Sequence, residues 1–292
     1  MATITLPHGT VNHLATRPID GAVGPPVVFV HGVLVSGTLW SATADALAAA
    51  GIRSFAPDLP LGAHRIPVGP AADQSPRGVA RQVLAYLDAL DLADVTLVGN
   101  DTGGAICQYL LDTDASRIGR LVLTNCDVFE HFPPPQLRRF MTLLRHPASI
   151  AATAQTLRST KVRHGRLGYG PFARSYDAEM TAAWVEPLRQ PDIRDDLSRF
   201  ARAVDAADLV EVDARLPAFG KPVRLVWGTA EPFFPVDLAH RLAAAFGTAD
   251  VVEVADARTF VPLDAPDRLA AEIVDLSGAT ASQRPVATDR TG

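Results

Sequence analysis

Apolar positions along the chain follow two rhythms that alternate for most of its length. Pro26-Val27-Val28-Phe29-Val30 is an unbroken apolar run, as a parallel strand covered on both faces requires. Helical spacing follows over about 38–50, closed by Gly51, and then a strand at Ile52-Arg53-Ser54-Phe55-Ala56. Val79, Val83, Leu84, Leu87 and Leu90 fall on one face of a helix predicted over 76–91. The run from Val95 to Asp101 is the next strand and leads into a helix at about 102–113, after which Arg120-Leu121-Val122-Leu123-Thr124 reads as a strand. The rhythm resumes late in the chain with strands at 223–227 and 250–254 and helices at 236–246 and about 265–276. Residues 3–6 and 11–16 add two edge strands. Such alternation implies right-handed crossovers, and so an α/β fold with a doubly wound, mostly parallel sheet of eight strands.

Between the two stretches of alternation the pattern changes. Residues 128–215 carry helical segments broken by prolines at 133–135, 147, 171, 187 and 191, with no convincing buried strand. This predicts a helical cap inserted into a core made of 1–127 and 216–276. The remaining residues, 277–292, are rich in Ala, Thr, Ser and Gly and are expected to be a disordered tail.

Composition narrows the function. With 292 residues, 48% hydrophobic and 20% charged, the chain can bury one large core. A formal charge of -5 and no basic run argue against nucleic acid as a partner, because phosphate binding needs clustered Lys or Arg. No stretch reaches the length of a membrane span, and no charged region followed by an apolar segment opens the chain, so a cytoplasmic location is the default expectation. Cys107 and Cys126 show neither paired nor metal-ligand spacing and are expected to be reduced core residues. The expected partner is a small molecule, with no metal and no organic cofactor.

The chemistry concentrates at Gly99-Asn100-Asp101-Thr102-Gly103, where a buried strand turns tightly into a helix. An apex residue in a strained conformation needs neighbours without side chains, so the glycines suit an elbow that stands Asp101 exposed at the strand's end. The alternative is an Asp that only caps the helix by accepting a backbone N–H.

The chain resembles the α/β-hydrolase fold family, in the branch with an aspartate nucleophile that includes haloalkane dehalogenases and epoxide hydrolases. Four features carry the resemblance: Val30-His31-Gly32-Val33, the elbow at Asp101, the insertion at 128–215, and Trp227-Gly228-Thr229-Ala230-Glu231-Pro232-Phe233-Phe234-Pro235. The resemblance implies an oxyanion hole from the backbone N–H groups of Val33 and Thr102, a structural role for His31, and Glu231 as the triad acid. It also implies a histidine where this chain has Thr259, in Ala257-Arg258-Thr259-Phe260-Val261-Pro262. Thr cannot act as a general base near neutral pH, and loss of a triad base costs about three to six decades in turnover.

Three resolutions follow. His64 or His131, both at the carboxyl edge of the sheet, could supply the base. Asp101 could instead transfer protons in a lyase, isomerase or cyclase reaction, with no ester formed. The fold could also bind a ligand without catalysis. Haloalkane dehalogenases resemble one another in an Asn after His-Gly and a Trp after the nucleophile, where this chain has Val33 and Thr102, which speaks against dehalogenation. Epoxide hydrolases use tyrosines of the inserted lobe to protonate the opening oxygen. Tyr169 and Tyr176 are the corresponding candidates here, and Trp184 is a candidate for the pocket ceiling. The leading expectation is a hydrolase of epoxide-hydrolase type with Asp101 as nucleophile.

Overall fold

The computed structural model describes residues 2–16 and 22–278, so most of the tail expectation falls outside the described residues. Strands β1 (Ala2–Leu6) and β2 (Gly9–Ala15) form an antiparallel edge. The rest of the sheet is β3 (Val27–Val30), β4 (Ser54–Pro57), β5 (Val95–Asp101), β6 (Ile118–Cys126), β7 (Val223–Gly228) and β8 (Ala249–Val254). The eight strands lie in the order β1-β2-β4-β3-β5-β6-β7-β8, with all pairs from β4 to β8 parallel. This is the doubly wound sheet that the alternation predicts.

The apolar runs are explained by burial on two faces. Val28, Val30, Leu97, Leu121 and Leu225 enter one core layer, while Val27, Phe29, Val98, Val122 and Val226 enter the other. Adjacent side chains on a strand point to opposite faces, so a strand between two helical layers must be apolar at every position. Helices α1 (Ser41–Ala49), α2 (Pro76–Ala89) and α3 (Thr102–Thr113) connect the first half.

Two boundaries differ from the sequence reading. β4 begins at Ser54 because Ile52 still belongs to the turn that closes α1, its N–H bonding the Leu47 carbonyl at 2.9 Å beside Gly51 at φ 81°. β6 runs on to Cys126 because the Asn125 side chain is satisfied inside the sheet. It accepts from the Gly228 N–H at 2.7 Å and donates to the Gly228 carbonyl at 2.9 Å. A polar residue that read as the end of a strand is thus a bracket between β6 and β7.

Between β6 and β7 lie α4 (Arg138–Leu144), α5 (Pro147–Leu157), α6 (Thr160–Arg163), α7 (Ala178–Val185), α8 (Pro191–Ala203) and α9 (Ala206–Asp213). The Phe129 N–H donates to Asp213 Oδ2 at 2.5 Å, which ties the start of this helical segment to its end. After β7 come α10 (Val236–Phe246), α11 (Val261–Asp264) and α12 (Pro266–Ser277). The predicted last helix is α12, and the short α11 precedes it, each starting at a proline-bearing first turn. No helix among the described residues is long and apolar enough to cross a membrane.

Candidate active site

Asp101 ends the central strand β5 and has φ 54° and ψ -133°, a conformation that an L-residue holds only when its surroundings compel it. The compulsion is close packing. A Cβ on Gly103 would overlap the Val30 carbonyl oxygen, so only glycine lets α3 leave β5 this close to β3. The Asp101 side chain makes no bond to the second or third residue of α3, where a capping side chain bonds. Its carboxylate lies against Gly32 and takes hydrogen bonds from the backbone N–H groups of Thr102 and Val33.

His31 holds that loop. Its Nε2 accepts from the Leu59 N–H at 2.8 Å, which leaves the proton on Nδ1 for the Gly32 carbonyl, also at 2.8 Å. Burial pushes its pKa down to about 4, so it stays neutral. It is a structural pin between the loops after β3 and β4, as the sequence reading expects.

Above Asp101 opens a cavity of about 830 Å³. Asp101, Thr102 and Asp127 line it, as do Gln136, His164, Arg166 and Arg258, together with Phe140, Met141 and Phe172 of the helical segment and Phe233 and Phe260. A cavity of this size, mostly apolar with a few convergent polar groups, suits a small organic molecule.

Asp127 escaped the sequence reading. It follows β6, the parallel neighbour of β5, and its N–H reaches the Asp101 carbonyl at 3.3 Å. It is only 1% exposed. Its Oδ2 accepts from the Thr102 hydroxyl at 2.9 Å, and its Oδ1 has no partner. Two carboxyl groups therefore flank Thr102 in the cavity. Burial pushes the Asp101 carboxyl up to about 7, with the Glu231 charge adding to the rise and the Thr102 and Val33 N–H groups opposing it. Asp127 stands well above the usual carboxylate range, through burial and then the Asp101 charge. The sequence signal was an acid between Cys126 and Val128 at the carboxyl edge of the sheet.

Glu231 stands in the loop after β7, which Trp227 folds over by donating from Nε1 to the Phe234 carbonyl at 2.8 Å. Glu231 Oε1 accepts from the N–H groups of Phe233 and Phe234, and Oε2 from the Thr259 hydroxyl. Thr259 is fully buried, and its own carbonyl accepts from Asn100 Nδ2 at 2.6 Å. Glu231 and Thr259 thus form a closed hydrogen-bonded pair in which both carboxylate oxygens are used. Thr259→Val, which keeps the shape and removes the donor, is expected to cost about 1–3 kcal/mol in urea unfolding. A change within about 0.5 kcal/mol, as at a neutral surface site, would show the pair to be inert.

The substitute bases do not reach the cavity. His64 is buried under α8, its Nε2 donating to Asp196 Oδ2 at 3.1 Å and its Nδ1 accepting from the Gly62 N–H at 3.3 Å. His131 turns to the Phe233 carbonyl at 2.8 Å. Neither lines the pocket, because each ring is spent on tying a loop. Tyr169 does line it, but its hydroxyl donates to the Leu34 carbonyl at 2.5 Å. Tyr176 is outside, its hydroxyl donating to the Tyr169 carbonyl, and Trp184 is outside too, bonded to Thr38 Oγ1 at 2.8 Å. No group of His, Cys, Asp and Glu among the described residues is placed to hold a metal ion.

Comparison with known proteins agrees with the topology. Residues 25–266 match the model of a family described as alpha/beta hydrolase fold. An uncharacterized protein of Mycobacterium tuberculosis is 27% identical over 233 residues, 76% of this chain and 66% of that protein, so just under two thirds of that relative is spanned. Haloalkane dehalogenase 2 of the same species is 30% identical over 279 residues, covering 89% of this chain and 90% of the other. Among solved structures, an epoxide hydrolase without ligand superposes with a TM-score of 0.75 at 18% identity, over 94% of this chain and 97% of that one. The chain belongs to the α/β-hydrolase fold family, with a dehalogenase and an epoxide hydrolase among its neighbours.

Proposed function

We propose that this enzyme hydrolyses a small, largely apolar molecule through attack of the Asp101 carboxylate on an electrophilic carbon, with epoxides as the substrate class. The observation that carries this reading is the Asp101 carboxylate itself, beside the backbone N–H groups of Thr102 and Val33 and lining a mostly apolar cavity. Attack would give an ester at Asp101. When water adds to that ester, the N–H groups of Val33 and Thr102 become an oxyanion hole, stabilising the charge that develops on the carbonyl oxygen. The dehalogenase neighbour does not make halides the preferred substrates, because Val33 and Thr102 offer no side-chain N–H to a leaving halide, although bromide can still be displaced without that help.

The test is intact-mass spectrometry alongside product analysis, with a panel of epoxides and alkyl halides. The expected result is diol formation or one adduct per chain, mapped to Asp101, with neither seen in Asp101→Asn. Modification or turnover that survives in Asp101→Asn would refute the reading.

A pH profile follows. Only the ionised carboxylate attacks, so with Asp101 at about 7 the rate of ester formation should rise about tenfold per pH unit below 7 and level above it. Folding stability should show the opposite slope. Asp101 keeps its proton in the folded chain up to about 7, whereas the unfolded carboxylate loses it near about 4. Between those values the unfolded state binds fewer protons, so this contribution to stability falls as pH rises and flattens above 7. Asp213, pushed up to about 7 by burial, adds to the same slope. Urea unfolding across this window would show part of the decline removed in Asp101→Asn.

One observation favours a second reading. A carboxyl group near 7 with a second carboxyl beside it suits proton transfer, as in an isomerase or lyase. A product formed without uptake of solvent oxygen, and lost in Asp101→Asn, would decide for it.

A further inference from the structure

Epoxide hydrolysis through an Asp101 ester needs an acid for the opening oxygen and a base for the water. The groups foreseen for those tasks are committed elsewhere: the Tyr169 and Tyr176 hydroxyls to backbone carbonyls, His64 to Asp196, His131 to Phe233, and Thr259 to Glu231. We infer that Asp127 performs both tasks, giving a proton to the leaving oxygen in the first half-reaction and taking one from water in the second. This deepens the reading of Asp101 as nucleophile and rests on it.

The placement supports the assignment. Asp127 lines the same cavity as Asp101, on the end of the neighbouring parallel strand, with Thr102 between them. Its Oδ2 is occupied as an acceptor by the Thr102 hydroxyl, so a proton on the group sits on Oδ1, the oxygen without a partner. A buried carboxyl oxygen with no partner is costly unless it has a use. The two carboxyls also differ in what favours their ionisation. Asp101 has two backbone N–H donors, and Asp127 has one hydroxyl. Neighbouring like charges oppose each other's ionisation, so above about pH 7 the remaining proton resides on Asp127 and Asp101 is the anion.

The steps balance on that single proton. Asp101 attacks the epoxide carbon, the carbon–oxygen bond breaks, and the Asp127 carboxyl protonates the departing oxygen. That leaves a hydroxy-ester on Asp101 and a carboxylate on Asp127. Asp127 then removes a proton from water as its oxygen adds to the ester carbonyl. Collapse of the tetrahedral intermediate releases the alkoxide, which takes the proton of the new Asp101 carboxyl. The products are the diol, an Asp101 carboxylate and an Asp127 carboxyl, which is the starting state. Two carboxyl groups divide the work of nucleophile and acid–base as they do in retaining glycosidases.

Two probes separate this inference from the reading beneath it. Styrene oxide needs both acid and base, whereas butyl bromide loses bromide ion without a proton as its butyl group joins Asp101, and so needs only the base. With wild type, butanol and styrene diol are expected to accumulate. Asp127→Asn should still be alkylated at Asp101 by butyl bromide but hold the ester, with release slowed about 10²- to 10⁴-fold, and it should open styrene oxide poorly. In Asp127→Ala, confirmed as folded by circular dichroism, formate or azide should restore ester release, which a purely structural Asp127 would not allow. Release at the wild-type rate from Asp127→Asn, a persistent ester in wild type, or no rescue in the folded alanine variant overturns the inference while Asp101 stands as nucleophile. Neither adduct nor product in wild type overturns both.

Discussion

Asp101→Asn is expected to lower turnover by about three to six decades while the protein stays folded. The amide is nearly isosteric and can still accept from the Val33 and Thr102 N–H groups, so the elbow keeps its hydrogen bonds. Asn also tolerates positive φ better than most residues, which suits the 54° at this position. What disappears is the anionic oxygen. Because a buried charge is removed, the variant should be at least as stable as wild type at and above pH 7. Steady-state assay and thermal unfolding on one preparation would check both halves. A drop in stability matching the drop in activity would instead show Asp101 to be part of the scaffold.

Gly32→Ala is the second large effect, and it acts on position rather than chemistry. A Cβ at residue 32 would overlap the Asp101 carboxylate and come within 2.8 Å of both its Cβ and Cγ. The carboxylate must then move away from the N–H of Val33, and Asp101 cannot follow by rotating its backbone, which α3 and β3 hold. Misplacing a reacting group by about 1 Å costs about 10²-fold. A loss of about that size in the rate of ester formation is expected, measured as the single-turnover rate with an epoxide, and with the attacking group still present. Unchanged rates would show that the carboxylate does not react from the position it occupies here.

The strands were legible because each is buried on both faces, a condition that leaves an apolar run with no polar partner positions, as in Val27–Val30. The elbow was legible because Gly103 answers to a single close approach, to the Val30 carbonyl. The remainder depends on contacts that no local pattern encodes. Tyr169 lines the cavity, but its hydroxyl is spent on Leu34, 135 residues away. His64 and His131 sit after strands at the sheet's carboxyl edge, yet the turns that carry them aim their rings at Asp196 and Phe233. Asp127 was hidden for a related reason. Its proximity to Asp101 comes from the parallel register of β5 and β6, with Cys126 opposite Asp101, and a side-by-side register between distant segments has no trace in either one alone.

The ester at Asp101 is the centre of this account, and solvent oxygen reports on it directly. In a single turnover with enzyme in excess over an epoxide, in water enriched in heavy oxygen, the water oxygen enters the Asp101 carboxylate first. Peptide mass spectrometry should then find the heavy isotope in the fragment carrying Asp101, and the first diol released should carry none. Heavy oxygen in the diol, with an unlabelled Asp101 fragment, would mean that water attacks the substrate itself and would contradict the account.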